Sequence, residues 1–202
     1  MKNSHDQQLI SVDGKELRYT DAGAGNVLLL LQPVLNTALS DQLAVNFRVI
    51  SVEVRDPGKG AQISKMLGAI AQQLRVDKYA LIGESKLASA AIAGAIDSGD
   101  SVEALVLIAP VSDGSNGAPA DLPLEQIEAP TLVLFGTRDR VVAPEAGRIY
   151  ARRIPKCFYT LVYDSGHDIA TDRPQALYAI VRDFLTHREK FVFPHESSVI
   201  NG

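Results

Sequence analysis

The chain has 202 residues, of which 46% are apolar and 22% charged, and its formal net charge is -4. That length holds one globular core, and that apolar share excludes a disordered chain. The acidic balance, without any basic block, argues against a nucleic-acid or anionic-membrane binder. The single cysteine, Cys157, excludes an intrachain disulfide framework and a cysteine-rich metal site. Met1–Gln8 is polar and carries no apolar signal core. The longest apolar stretches, Val27–Leu31 and Ala104–Val111, are too short to span a bilayer. The chain reads as a soluble, cytoplasmic protein that needs no metal and no cofactor.

The first elements are a hairpin: Leu9–Val12 and Leu17–Thr20 flank Asp13-Gly14, a pair suited to a two-residue turn. Val27–Leu31 and Phe47–Val54 are continuous apolar runs, as expected of strands covered on both faces. Between them Leu39 and Leu43 sit at helical spacing. Ile63, Met66, Leu67, Ile70, Ala71 and Leu74 follow the i, i+3, i+4, i+7 pattern of a helix with one face on a sheet. Tyr79–Gly83 is a short strand, and Lys86–Ile96 an alanine-rich helix that should be the most buried. Val102–Ala109, Thr131–Phe135 and Phe158–Tyr163 are further strands. A helix follows Pro144, and another, with Leu177, Ile180, Val181, Phe184 and Leu185 on one stripe, begins near Pro174. This alternation means βαβ units and a mainly parallel sheet with helices on both faces. Pro110–Pro130, with Gly114, Gly117, Pro119 and Pro123, breaks the rhythm. It reads as a long surface loop with one helical turn at Leu124–Ile127. Residues 189–202 read as an extension, docked through Phe191-Val192-Phe193.

Chemistry concentrates at three strand ends. Gly83-Glu84-Ser85 lies at a strand-to-helix junction, where a serine on a sharp turn is raised above the sheet as a potential nucleophile. A serine hydroxyl is weak alone and needs a base held by a third group. Gly136-Thr137-Arg138-Asp139 and Ser165-Gly166-His167 follow later strands and offer both. Each alone has a plainer reading: Ser85 as an N-cap, Asp139 as a turn former, His167 as an ordinary histidine. Their joint placement, in the order Ser, Asp, His, is what argues for function.

These motifs resemble the α/β-hydrolase superfamily. "VDGKELRYTDAGAGNVLLLL" at Val12–Leu31 is similar to that family's opening hairpin and third strand, and "FRVISVEVRDPGKG" at Phe47–Gly60 to its fourth strand and following loop. Tyr79–Pro110 resembles its elbow, buried helix and sixth strand, and Ala129–Leu185 its acid loop, last strand, histidine loop and final helix. The resemblance implies an α/β-hydrolase fold, an eight-stranded, mostly parallel sheet flanked by helices, over one domain spanning 1–202. It implies a Ser85–His167–Asp139 triad, with Asp113 as an alternative acid, and an oxyanion hole made by the Lys86 and Val34 N–H groups.

Three departures matter. The elbow G-x-S-x-G reads Gly83-Glu84-Ser85-Lys86-Leu87, with leucine for the final small residue. The family's His-Gly after the third strand reads Gln32-Pro33, and proline has no N–H to donate. The family's helical cap is missing, since 110–130 is too short to be more than a loop in its place. Two readings follow. One is a lidless serine hydrolase acting on a small ester, thioester or lactone, with a small-molecule acyl substrate. The other is a catalytically degenerate member of the same fold that binds a ligand or partner. The Lys86 side chain, if not simply solvated, favours an acyl group bearing a carboxylate.

Overall fold

The computed structural model describes residues 6–56, 61–112, 122–191 and 199–200. Among them, strands in the order β1-β2-β4-β3-β5-β6-β7-β8-β9 form one sheet. The hairpin at its edge pairs β1 (Gln8–Val12) with β2 (Lys15–Gly23), Val12 opposite Lys15. The Asp13-Gly14 turn has φ of 47° and 76°, the left-handed pair that fits the twist of a hairpin and that aspartate and glycine adopt at least cost. β2 runs antiparallel to β4 (Arg48–Glu53), and every later pairing is parallel. β3 (Val27–Gln32), β5 (Tyr79–Glu84), β6 (Val102–Ile108), β7 (Thr131–Gly136) and β8 (Cys157–Val162) complete the expected eight. A two-residue ninth strand, Val199–Ile200, joins β8. It falls within the predicted extension and was too short to show in the sequence pattern.

Helices cover both faces because alternate strand residues point to opposite sides. On one face α2 (Ala61–Gln73), α3 (Ala88–Ser98) and α4 (Gly147–Arg153) bury a core containing Leu29, Leu31, Leu81 and Leu107. On the other, α1 (Thr37–Leu43) and α6 (Pro174–His187) close over Leu28, Leu30, Ile82 and Val106. A four-residue helix, α5 (Ile169–Asp172), precedes α6 and escapes a periodicity reading because it is barely one turn. Seven residues of α3 are buried, in keeping with its apolar circumference.

The C-terminal extension is docked at its first aromatic. Phe191 packs edge-on against Phe158 and Phe184, with ring centroids 5.5 Å away in each case. Val192 and Phe193 lie outside the described residues. So do 113–121, the middle of the 110–130 segment. Its described part holds one 3-10 turn, Leu124–Gln126, at the place expected. No helical cap is seen among the described residues. Arg153 of α4 reaches this turn, donating to Glu125 Oε1 at 2.7 Å and to the Leu122 carbonyl at 2.8 Å. Among the described residues no helix is long and apolar enough to cross a membrane.

The chain winds from β3 outward to β4 and then back across β3 to β5. The carboxyl ends of β3 and β5 therefore flank a switch point, where open α/β sheets place their ligands.

Candidate active site

Ser85 follows directly on β5 and opens a 3-10 turn, Ser85–Leu87, that leads into α3. Its φ is 52°, a left-handed value that a serine adopts only when its surroundings hold it there. Those surroundings are visible. The Ser85 carbonyl accepts N–H bonds from Ala88 and, at 3.1 Å, from Val111 after β6. A Cβ on Gly83 would stand 2.6 Å from Ala91 Cβ and 2.8 Å from the Leu87 carbonyl, so only glycine lets the strand come this close to α3. Leu87 itself has ordinary right-handed dihedrals, φ -78° and ψ -8°, and carries no backbone strain. Its side chain is buried in the layer beneath α2 and α3. The leucine in place of a small residue is thus absorbed by the core.

Ser85 Oγ lies 3.0 Å from His167 Nε2, and His167 Nδ1 lies 2.8 Å from Asp139 Oδ2. The Asp139 side chain has no solvent exposure. Its other oxygen, Oδ1, accepts the Val141 N–H at 2.8 Å and the Val142 N–H at 3.0 Å. Asp139 can only accept from the imidazole, so Nδ1 carries the proton and Nε2 is left to accept from the Ser85 hydroxyl. That is the arrangement in which a hydroxyl can lose its proton to an imidazole as it attacks. The structure brings all three predicted side chains into one chain of hydrogen bonds. Asp113, the alternative acid, lies outside the described residues.

Asp139 and His167 stand on two loops that are bound to each other. Thr137 N–H donates to the Val162 carbonyl at 3.0 Å and Arg138 N–H to the Ser165 carbonyl at 2.8 Å. Asp164 N–H donates to Thr137 Oγ1 at 3.0 Å. A Cβ on Gly136 would run into the carbonyl oxygens of Ser165 and Gly166, which explains the glycine that ends β7. Arg138 donates to the Asp164 carbonyl at 2.9 Å and pairs with its carboxylate at 2.7 Å from an exposed position. The histidine loop is closed from its other end by α5. Asp168 caps that helix through the Thr171 N–H, at 3.0 Å, and Asp172 accepts the Gly166 N–H at 2.7 Å. Asp168 thus faces Thr171, through both its backbone N–H and its hydroxyl. The sequence reading missed α5; Asp168 three residues ahead of Thr171, a capping spacing, was the one available signal.

Glu84 is set apart from the other carboxyls. Burial pushes its pKa up, the nearby Asp168 pushes it further the same way, and His167 pulls it back. A carboxyl that disfavours its own charge therefore stands immediately before the serine, within electrostatic reach of the imidazole. Burial likewise pushes the Cys157 thiol up to about 12, so it behaves as a small apolar group.

The predicted oxyanion donors are placed as follows. Lys86 is exposed at the opening of the 3-10 turn, where the first N–H groups have no partner within the helix. Val34 is 65% exposed, in the turn between β3 and α1. Among the described residues no cluster of three or more His, Cys, Asp or Glu side chains has the geometry to hold a metal.

No protein-family model matches the chain, and no curated protein sequence does. Solved structures do. A CIB-like hydrolase from Thermoplasma acidophilum superposes with a TM-score of 0.74 at 18% identity, over 89% of this chain and 97% of that one. A carboxylesterase from Bacillus subtilis gives 0.75 at 15% identity, over 89% and 91%. An esterase from Thermogutta terrifontis gives 0.74 at 21% identity, over 90% and 98%. With this sheet order and these helical layers, the likeness establishes the α/β-hydrolase fold for this chain.

Proposed function

We infer that the protein is a serine ester hydrolase, with residues 1–202 acting as one lidless α/β-hydrolase domain. The observation that carries this reading is the hydrogen-bonded chain from Ser85 through His167 to the buried Asp139. It is supported by the position of all three at the carboxyl ends of strands and by the hydrolase and esterase names of the structural neighbours. In the proposed reaction Ser85 Oγ attacks the acyl carbonyl carbon while His167 Nε2 takes its proton. Asp139 holds the imidazole in the correct tautomer and stabilises its charged form. The Lys86 and Val34 N–H groups receive the negative oxygen of the tetrahedral intermediate. The leaving alcohol takes the proton from His167, and water then releases the acyl group from Ser85 by the same steps in reverse roles. A small ester, thioester or lactone is the substrate class. The reading takes the protein as soluble and cytoplasmic, without nucleic acid, membrane, metal or cofactor.

The test is kinetic. The purified protein should hydrolyse a short-chain nitrophenyl ester and take up one equivalent of a fluorophosphonate, and Ser85→Ala should abolish both. Equal rates for wild type and Ser85→Ala across several esters and thioesters would replace this reading with the ligand-binding one.

A further inference from the structure

The turn after β3 has to present an N–H beside Ser85, yet it begins with proline. β3 and β5 are hydrogen-bonded neighbours in which Leu31 stands opposite Gly83. Continuing that register sets Gln32 opposite Glu84 and opens the turn alongside Ser85, about one strand spacing, ~4.8 Å, away. Pro33 has no N–H. The Asn36 N–H is committed to Gln32 Oε1 at 3.2 Å. Val34 and Leu35 are left as the N–H groups this turn can offer an anion.

Gln32 is one of the few polar side chains buried in the sheet, at 4% exposure. It faces the α1 layer, as Leu30 and Leu28 do two and four residues earlier. Its neighbour across β4 is Glu53, which is also buried. Besides accepting from the Asn36 N–H, it donates from Nε2 to the Asn36 carbonyl at 3.2 Å. The side-chain amide therefore grips both backbone groups of Asn36, as a neighbouring peptide unit would. Asn36 is fixed in its turn, because its Oδ1 accepts the Ala38 N–H at 2.9 Å and caps α1. α1 is seated on the sheet through the buried Leu39 and Leu43. Three residues, Pro33–Leu35, are thus pinned at one end by β3 and at the other by the Gln32 amide, with one φ already locked by proline.

We propose that Gln32 is a positioning residue of the acyl-transfer site: its amide, clamped on Asn36, holds the Pro33–Leu35 turn so that the Val34 N–H stays aimed at the oxygen that becomes negative. The inference rests on the esterase reading above. It also gives the Gln32-Pro33 departure a physical sense. A donor placed by a pinned turn costs no reorganisation when charge develops, and a displacement of about 1 Å costs on the order of a hundredfold in rate.

The experiment compares wild type with Gln32→Met, a near-isostere that loses both bonds, and with Gln32→Asn, whose amide is one methylene too short to span. Each is assayed on a nitrophenyl ester and titrated with a trifluoromethyl ketone, which mimics the tetrahedral intermediate. Both variants should lose about 10- to 100-fold in kcat, with KM within about threefold. The inhibition constant of the ketone should rise by the factor that kcat/KM falls. The shape of the pH-rate profile should not move, because His167 and Asp139 are untouched. If one variant does not fold, the other carries the comparison. A folded variant with kcat within about twofold of wild type overturns the proposal, as does a loss of activity that leaves the ketone affinity unchanged. A wild type without Ser85-dependent hydrolysis removes the esterase reading itself, seen before any Gln32 variant is compared, and the proposal falls with it.

Discussion

The two flanks of Ser85 are held in opposite ways. On the β7–β8 side, the loops that carry Asp139 and His167 share two backbone bonds, a Thr137 hydroxyl contact, an arginine bridge and a glycine approach too close for any side chain. On the β3 side, the turn that carries Val34 is tied back to β3 by one side-chain amide, while a helix cap and a Ser40 hydroxyl bond to the Asn36 carbonyl hold Asn36 to α1. Redundant bonding tolerates the loss of one member, whereas a single clamp does not. Substitutions on the β7–β8 side should therefore matter only at the reacting groups, while on the β3 side a residue that touches no substrate should matter a great deal.

The largest effect expected on the well-bonded side is at Asp139. Asp139→Asn keeps the shape of the side chain and leaves the loop bonds in place, but an amide nitrogen at the position of Oδ2 cannot accept from Nδ1. The imidazole then loses the tautomer it needs. A fall of about 10³- to 10⁴-fold in kcat is expected, with the melting temperature little changed, checked by steady-state kinetics and a thermal melt. Asp113→Asn, the control for the alternative acid, should stay within about twofold. A large loss at Asp113 and a small one at Asp139 would move the acid to β6 and undo the geometric argument.

Sequence and structure part company along the same line. The hairpin was legible because Asp13-Gly14 names a turn that needs two positive φ values. The elbow was legible because Gly83 and Ser85 are forced by local crowding and strain. Asp139 and His167 were legible as residues after strands. What joins the loops was not, since Arg138 meets Asp164, and Arg153 meets Glu125, across 26 and 28 residues with no period to betray them. Residue type alone puts such arginines in solvent. Gln32 was read only for the proline beside it, because a buried glutamine gripping a backbone leaves no mark in composition.

Between the flanks, at the end of β5, sits Glu84, and it yields an intermediate effect that depends on pH. Its pKa is raised in the folded protein, chiefly by burial. A raised carboxyl favours the protonated form on folding, so its contribution is fully present below its unfolded pKa and is lost as pH rises through the folded one. Glutamine mimics the protonated form at every pH. Glu84→Gln should therefore melt higher than wild type at neutral pH, and the gap should close as the buffer is taken down through the carboxylate range. Melts at pH 4 and pH 8 decide it, and a gap that widens on acidification would contradict the sign.

Apart from the Asp113 control, the smallest effect should come from Arg138, although its contacts are the shortest between the two loops outside the Ser85–His167–Asp139 chain. Its guanidinium pairs with Asp164 at 2.7 Å, but the two side chains are 64% and 47% exposed. Water screens such a pair, and exposed pairs of this kind contribute about 0–1 kcal/mol. Arg138→Ala also spares the bonds that matter most here, because the Arg138 N–H to the Ser165 carbonyl and the Thr137 N–H to the Val162 carbonyl are backbone bonds that any residue keeps. The variant should lose less than about threefold in kcat and, at about 1 kcal/mol or less, fall by no more than ~4 °C in melting temperature. Measured beside Gln32→Met, it sets an exposed charged bridge against a buried neutral clamp of longer bonds. A tenfold loss at Arg138 would mean that the histidine loop hangs on that bridge, and the two flanks would then be alike in their dependence on one side chain.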